Sequence, residues 1–322
     1  MKKYLLFIVA LFSACFLKAQ QLEWSVYDTL NSKIPDNIIK LLTTDKQGNI
    51  WFATGDCYRG GIMARFDGKS FSIFNEKNSS LPDRFITAIA IDNNNKVWIG
   101  TRTGGIVCYD GNSWVITNTS NSLLPDNRIR CITVNGDSLW IGTDKGVALK
   151  QNEHWMVYNH ENSFLPHNHV NSISCIPGTT AIATENGMVV LDGKTWKVYN
   201  KDNTTVTENE FQQVFFDCKR NLWAVFRGGI IAAENGKWIL YNSTNSSLPE
   251  YSDCRMAETP DGVKWISSNY GLISFDGKKW AIQTPANSKI PDFFLSGLVV
   301  DLSGNLWVGT QSGLAVGKKI SK

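Results

Sequence analysis

Apolar and polar residues alternate along this chain in short bursts, and the bursts recur at a fixed period. Between residues 85 and 117 there are four of them: Phe85 to Ile91, Lys96 to Gly100, Gly105 to Tyr109 and Ser113 to Thr117. Asp92-Asn93-Asn94-Asn95 and Asp110-Gly111 between them are the residues that tight hairpin connections need. Short alternating runs bounded by Gly, Asn and Asp predict strands. The unit therefore reads as four short strands in a meander.

The unit repeats. A G-N-x-W-x-G-T block is anchored at Trp51, Trp98, Trp140, Trp223, Trp265 and Trp307, with Ala181 in the tryptophan position of a further copy. The seven anchors are spaced 47, 42, 41, 42, 42 and 42 residues apart. Two other markers keep the same phase. An N-S-x-[LI]-P-[DE] turn surrounds Pro35, Pro82, Pro125, Pro249 and Pro291, with a variant at Pro166 and a proline-free copy at Thr205 to Glu208. A D-G turn recurs at Asp67, Asp110, Asp192 and Asp276. Four strands in roughly 40–45 residues is the arithmetic of a propeller blade. The seventh unit lacks a tryptophan-bearing fourth strand, and Leu22-Glu23-Trp24-Ser25-Val26-Tyr27 supplies one. The prediction is an all-β, seven-bladed β-propeller, closed by this first strand pairing into the last blade. Ring closure is expected to leave no unpaired inner edge.

The W-I-G-T…G-[GL]…[FY]-D-G unit resembles the two-component regulator propeller repeat over residues 22 to 317, nearly the whole chain. That resemblance implies kinship with the periplasmic sensor regions of bacterial hybrid histidine kinases, many of which respond to carbohydrates. The present chain holds one ring of repeats and no kinase, receiver or DNA-binding segment within its 322 residues, so on this reading it does not itself pass a signal inward.

Composition narrows the setting. Residues 1–19 read as a secretory signal, with Lys2 and Lys3 ahead of an apolar stretch from Tyr4 to Ala14 that is too short to span a bilayer. Residues 20–322 form the propeller domain. A second reading takes Phe12-Ser13-Ala14-Cys15 as a lipobox, which would make the product a lipoprotein anchored through Cys15. Either way the expected location is periplasmic or extracellular. The chain carries 32 basic and 29 acidic groups, and setting aside Lys2, Lys3 and Lys18 leaves 29 of each. A neutral chain lacks the basic footprint of a nucleic-acid or anionic-membrane binder. Cys57, Cys108, Cys131, Cys175, Cys218 and Cys254 show no CxxC spacing and read as small buried hydrophobes, with a Cys57–Cys108 bridge as the alternative.

In such a meander the loops leading into each blade and the loops between strands two and three share one face. Ligands of ring-shaped folds enter at the mouth of the channel, so that face is the expected site. Its candidate ligand-binding residues are Tyr58, Arg59, Arg84, Arg102, Arg128, His169, Glu210, Arg227, Tyr251, Tyr270 and Phe294. Aromatic rings beside guanidinium and amide groups suit an oligosaccharide or another small ligand. The loop Gly55 to Gly60 is about four residues longer than its counterparts and breaks the symmetry there. The acids Asp36, Asp83, Asp126, Glu208, Glu250 and Asp292 read as turn residues. His167 and His169 have no third ligand nearby, and no motif calls for a metal, a cofactor or a catalytic nucleophile. The expected function is non-catalytic binding of a small ligand, such as a glycan fragment, or of a protein partner. Two alternatives remain. One is an enzyme of the streptogramin-lyase kind using His169 and Glu210, and the other is a scaffold in a cell-envelope complex.

Overall fold

The computed structural model describes residues 22–320, apart from 57, 235 and 250–253. The proposed signal peptide, Cys15, Cys57, Glu250 and Tyr251 lie outside the described residues. Seven four-stranded antiparallel sheets follow one another around a ring, each ordered from an inner to an outer strand. In the second blade the strands are Ile86–Ile91, Val97–Thr101, Ile106–Tyr109 and Trp114–Thr117, within one residue of the expected bounds. Leu22–Tyr27 forms the outer strand of the seventh blade, paired with Leu314–Lys319 from Leu22 opposite Lys319 to Tyr27 opposite Leu314. The ring closes as the sequence predicts.

The hydrophobic cores lie between blades. Trp51, Ala53 and Met63 of blade one pack on Ile86, Ile99 and Val107 of blade two, and six further clusters repeat this arrangement at the other interfaces. Each interface also receives one plug from the proline turn, namely Ile34, Leu81, Leu124, Leu165, Val206, Leu248 or Ile290. Val206 keeps that role where the proline is absent, which explains why the phase survives there. The glycine of W-x-G-T faces the next blade. A Cβ on Gly100 would lie 2.5 Å from Ile129 Cγ2, and one on Gly309 would lie 2.6 Å from the Ile39 carbonyl oxygen.

The buried strand-two tryptophans need a partner for the indole N–H. The turn between strands one and two supplies it. Asp45, Asp92, Asp217 and Asp301 accept from Trp51, Trp98, Trp223 and Trp307 at 2.9, 3.0, 3.1 and 2.8 Å. In blade six Thr259 takes the place of the aspartate and accepts from Trp265 at 3.2 Å.

Ring closure does not remove the inner edges, contrary to expectation. Each blade presents an inner strand with one side unpaired, and side chains of neighbouring inner strands bond its backbone instead. Thr133 donates to the Ile173 carbonyl at 2.6 Å and Asn171 to the Phe211 carbonyl at 2.9 Å. Gln213 accepts from the Met256 N–H at 2.9 Å, and Ser296 donates to the Ile39 carbonyl at 2.5 Å. The cysteines are less uniform than expected. Cys108, Cys131, Cys175 and Cys218 are in no disulfide; Cys254 is buried, but Cys218 is exposed, its N–H donating to Glu258 at 2.6 Å. It sits in a solvent-facing turn rather than a strand, which is why the buried reading fails for it.

Candidate functional site

The loop-rich face is held by side chains whose spacing is visible in the repeat. The threonine that ends strand two staples the following loop: Thr101, Thr143, Thr184 and Thr310 donate to the carbonyls of Gly105, Gly146, Gly187 and Gly313. The residue after the proline caps its own turn. Asp36, Asp83, Asp126 and Asp292 each accept the N–H two residues on, at 2.9–3.0 Å. His167 occupies the same place and does the same through Nδ1, accepting the His169 N–H at 3.1 Å. Asp83 also accepts from Thr103, and Asp292 from Ser312, so these acids tie one loop to the next. Among the described residues no group of three or more His, Cys, Asp or Glu is placed to hold a metal.

The residue two after the proline is an asparagine in four turns. Asn37, Asn127, Asn168 and Asn209 each accept an N–H of the preceding loop at 2.8–2.9 Å. Arg84 stands there in the second blade. Beside it lies a cleft of about 390 Å³ lined by Arg59, Asn75, Lys77, Asp83 and Arg84. The longer loop of blade one forms its other wall and is pinched at its base: a Cβ on Gly55, whose φ is +83°, would lie 1.8 Å from the Gly60 carbonyl oxygen. The turn N–H groups of Arg59 and Tyr58, followed by the Arg59 guanidinium paired at 2.8 Å, hold the Asp56 carboxyl below the usual carboxylate range, at a pKa of about 2. Tyr58 stands at the loop tip, 85% exposed.

At the axis a cavity of about 280 Å³ opens on the same face. It is lined from five blades by Thr87, Arg128, Arg130, Asn171, Glu210, Gln212 and Arg255, with Ile129 at its wall. Thr87, Arg130, Asn171 and Gln212 share a structural position. The inner-strand register shifts at each, between Ile86 and Ala88, Ile129 and Cys131, Val170 and Ser172, and Phe211 and Gln213. Such bulges re-aim one side chain per strand. Arg255 lines the cavity from one place further along the inner strand of blade six, paired with Ser267 as Gln213 is with Val225 in blade five. These five residues are absent from the candidates drawn from the loops; for Thr87, Arg130, Asn171 and Gln212 the signal is a polar residue five places after the proline position, a spacing that Arg255 does not share.

The loop candidates do not form one site. Arg128 and Glu210 line the axial cavity, whereas Arg59 and Arg84 line the cleft between blades one and two. Arg102 lies over the Phe85 ring at 4.0 Å and Arg84 at 5.5 Å, so cations occupy that aromatic surface. Arg227 borders a small hollow with Phe226 and Pro249. Tyr270 and Phe294 are half-exposed on their own loops. His169 is clamped between two carboxylates: Nε2 lies 2.8 Å from Asp144 Oδ1, out of line for a regular hydrogen bond, and Nδ1 contacts Glu185. Asp144 in turn pairs with Arg128 at 3.4 Å and Arg130 at 3.2 Å. His169 is thus held by Asp144 and Glu185, while Glu210 lines the axial cavity.

No curated protein matches the chain in sequence. The two component regulator propeller family matches residues 33–56 and 80–103, each stretch running from the proline turn through the first two strands of a blade. Among solved structures, the extracellular domain assigned to hybrid two component system BT3049 of B. thetaiotaomicron superposes with a TM-score of 0.75 at 20% identity, covering 93% of this chain and 42% of that one. The extracellular domain assigned to BT4673 of the same organism gives 0.74 at 18%, covering 94% and 40%. This chain therefore spans about two fifths of the length of those domains. A streptogramin B lyase gives 0.73 at 11%, covering 92% and 97%. At such identities the likeness is one of fold. The chain therefore carries two component regulator propeller repeats on a seven-bladed β-propeller.

Proposed function

We propose that this protein is an exported, non-catalytic propeller that binds a small ligand, a glycan fragment foremost, at the channel mouth of its loop-rich face. The observation that carries the reading is the axial cavity, where guanidinium and amide groups from four blades and a threonine hydroxyl from a fifth converge on a space of about 280 Å³. Planar groups of this kind bond hydroxyls and carboxylates in pairs. Export is supported by the apolar N-terminal stretch, by the repeat family, and by the extracellular origin of the two similar domains. Among the described residues no helix is long and apolar enough to cross a membrane.

A thermal-shift screen of residues 20–322 against neutral and acidic oligosaccharides tests the reading. A ligand that binds the native state raises the midpoint by mass action. The expected result is a shift with one glycan class that is lost in Arg128→Gln. Failure of every glycan to shift the midpoint, with recovery of one stoichiometric partner from membranes, would move the assignment to an envelope protein partner.

A further inference from the structure

We propose that the axial cavity selects a hydroxylated carboxylate the size of one sugar ring, so that a uronic acid residue seats there; this rests on the ligand-binding reading above. Three guanidiniums border the cavity, from Arg128, Arg130 and Arg255. Two carboxylates answer them: Glu210 at the rim and Asp144 behind, shared by Arg128 and Arg130. The local balance is one positive charge in excess, which a monoanion neutralises and a dianion overshoots beside Glu210.

The donors are unequal. Arg130 is held by three bonds, from Nε to the Val170 carbonyl at 3.1 Å, from Nη1 to Asp144 at 3.2 Å and from Nη2 to Asn171 at 2.7 Å. Two of its five N–H groups remain, on a guanidinium already fixed in place. Among the described residues the Arg255 side chain makes no ion pair and no hydrogen bond; its backbone N–H donates to Ser267 Oγ at 3.2 Å. It is the less constrained of the two guanidiniums and the group that a carboxylate recruits.

A bare anion does not complete the site. Gln212 Oε1 and Thr87 Oγ1 are buried without a hydrogen-bond partner. A buried amide oxygen without a donor carries an unrecovered desolvation cost, and a carboxylate has no donor to give it. A hydroxyl on the same ligand does. The cavity volume is at the small end of ligand pockets, which span roughly 300–1,000 Å³, and so takes one ring of a longer chain.

Isothermal titration of residues 20–322 with glucuronate, galacturonate and their disaccharides decides the matter, with glucose, galactose, neutral disaccharides and sulfate alongside. The expected result is uronate binding at least about tenfold tighter than that of the neutral counterpart, with sulfate a poor competitor. Arg255→Gln and Gln212→Leu should each weaken uronate roughly tenfold. Arg255 is exposed and its side chain makes no hydrogen bond or ion pair among the described residues, so the variant removes no contact from them. Neutral sugars binding as tightly as uronates, sulfate competing equally, or uronate affinity unchanged in both variants would overturn the acidic assignment and leave the ligand-binding reading standing. No binding by any sugar, acidic or neutral, would overturn both.

Discussion

Asp301 illustrates what a single conserved-phase residue does in this ring. Its Oδ2 takes the Trp307 indole N–H at 2.8 Å and the Asn305 amide at 2.9 Å, while Oδ1 takes the N–H groups of Ser303 and Asn305. Asp301→Ala strands a buried indole donor and unties the turn, so denaturant unfolding should show a loss of about 1–3 kcal/mol, with Asp301→Asn losing less because it keeps one acceptor. The D-G turns make a matching prediction in acid. The N–H groups of Ser113 and Asn112, with the Ser113 hydroxyl, hold the Asp110 carboxyl at about 2, and Ser70 and Lys69 do the same for Asp67. Because the folded-state value lies below the ordinary carboxylate value, their contribution is fully present above about pH 4 and is lost as the pH falls through 2. Carboxyl NMR titration should place both midpoints near 2, and a double Asp67→Asn, Asp110→Asn variant should show a flatter stability profile between pH 4 and 2.

Strands and turns are the scale at which the sequence was most legible. The seven anchors each mark a second strand, and the D-G turns and proline turns each report a chain reversal, so the strand count and the closing strand Leu22–Tyr27 could be read directly. The axial site could not be read that way. Thr87 and Arg130 lie between apolar neighbours, where simple alternation turns them away from the residues beside them; the bulge that aims them at the axis adds a residue and leaves no mark in a period-two count. Loop residues such as Arg102 were legible as exposed but not as spoken for, because Phe85 reaches it only in the fold. The glycines of W-x-G-T offer a test of how close neighbouring blades stand. Gly309→Ala meets the Ile39 carbonyl, and Gly100→Ala meets Ile129 at Cγ2 and at Cβ, the second of which no side-chain rotation moves aside. Calorimetry should show a loss for each, on the order of 1–3 kcal/mol.

For the whole molecule, stability depends on an unbroken circuit of interfaces, since each core belongs to two blades. Removing residues 22–27 takes Trp24 from the core between blades six and seven and bares the Leu314–Lys319 strand. The expected outcome is a lower melting temperature together with concentration-dependent aggregation, because an exposed strand edge pairs with other chains. Light scattering during a thermal ramp checks both. An unchanged melting temperature would mean that the ring does not need its clasp.

The register of that clasp has a mechanical consequence. Leu22 lies opposite Lys319, so the two strands enter and leave the seventh blade at the same end. Tension applied across those two points would load the pairs one after another, as in opening a zipper, rather than all six at once. The ring should therefore peel open at low force when pulled by its two ends, yet resist when both are tied to the same support. Joining Lys319 to Leu22 through a short linker would remove that weak point, leaving the solvent-facing turns as places where new termini can be cut.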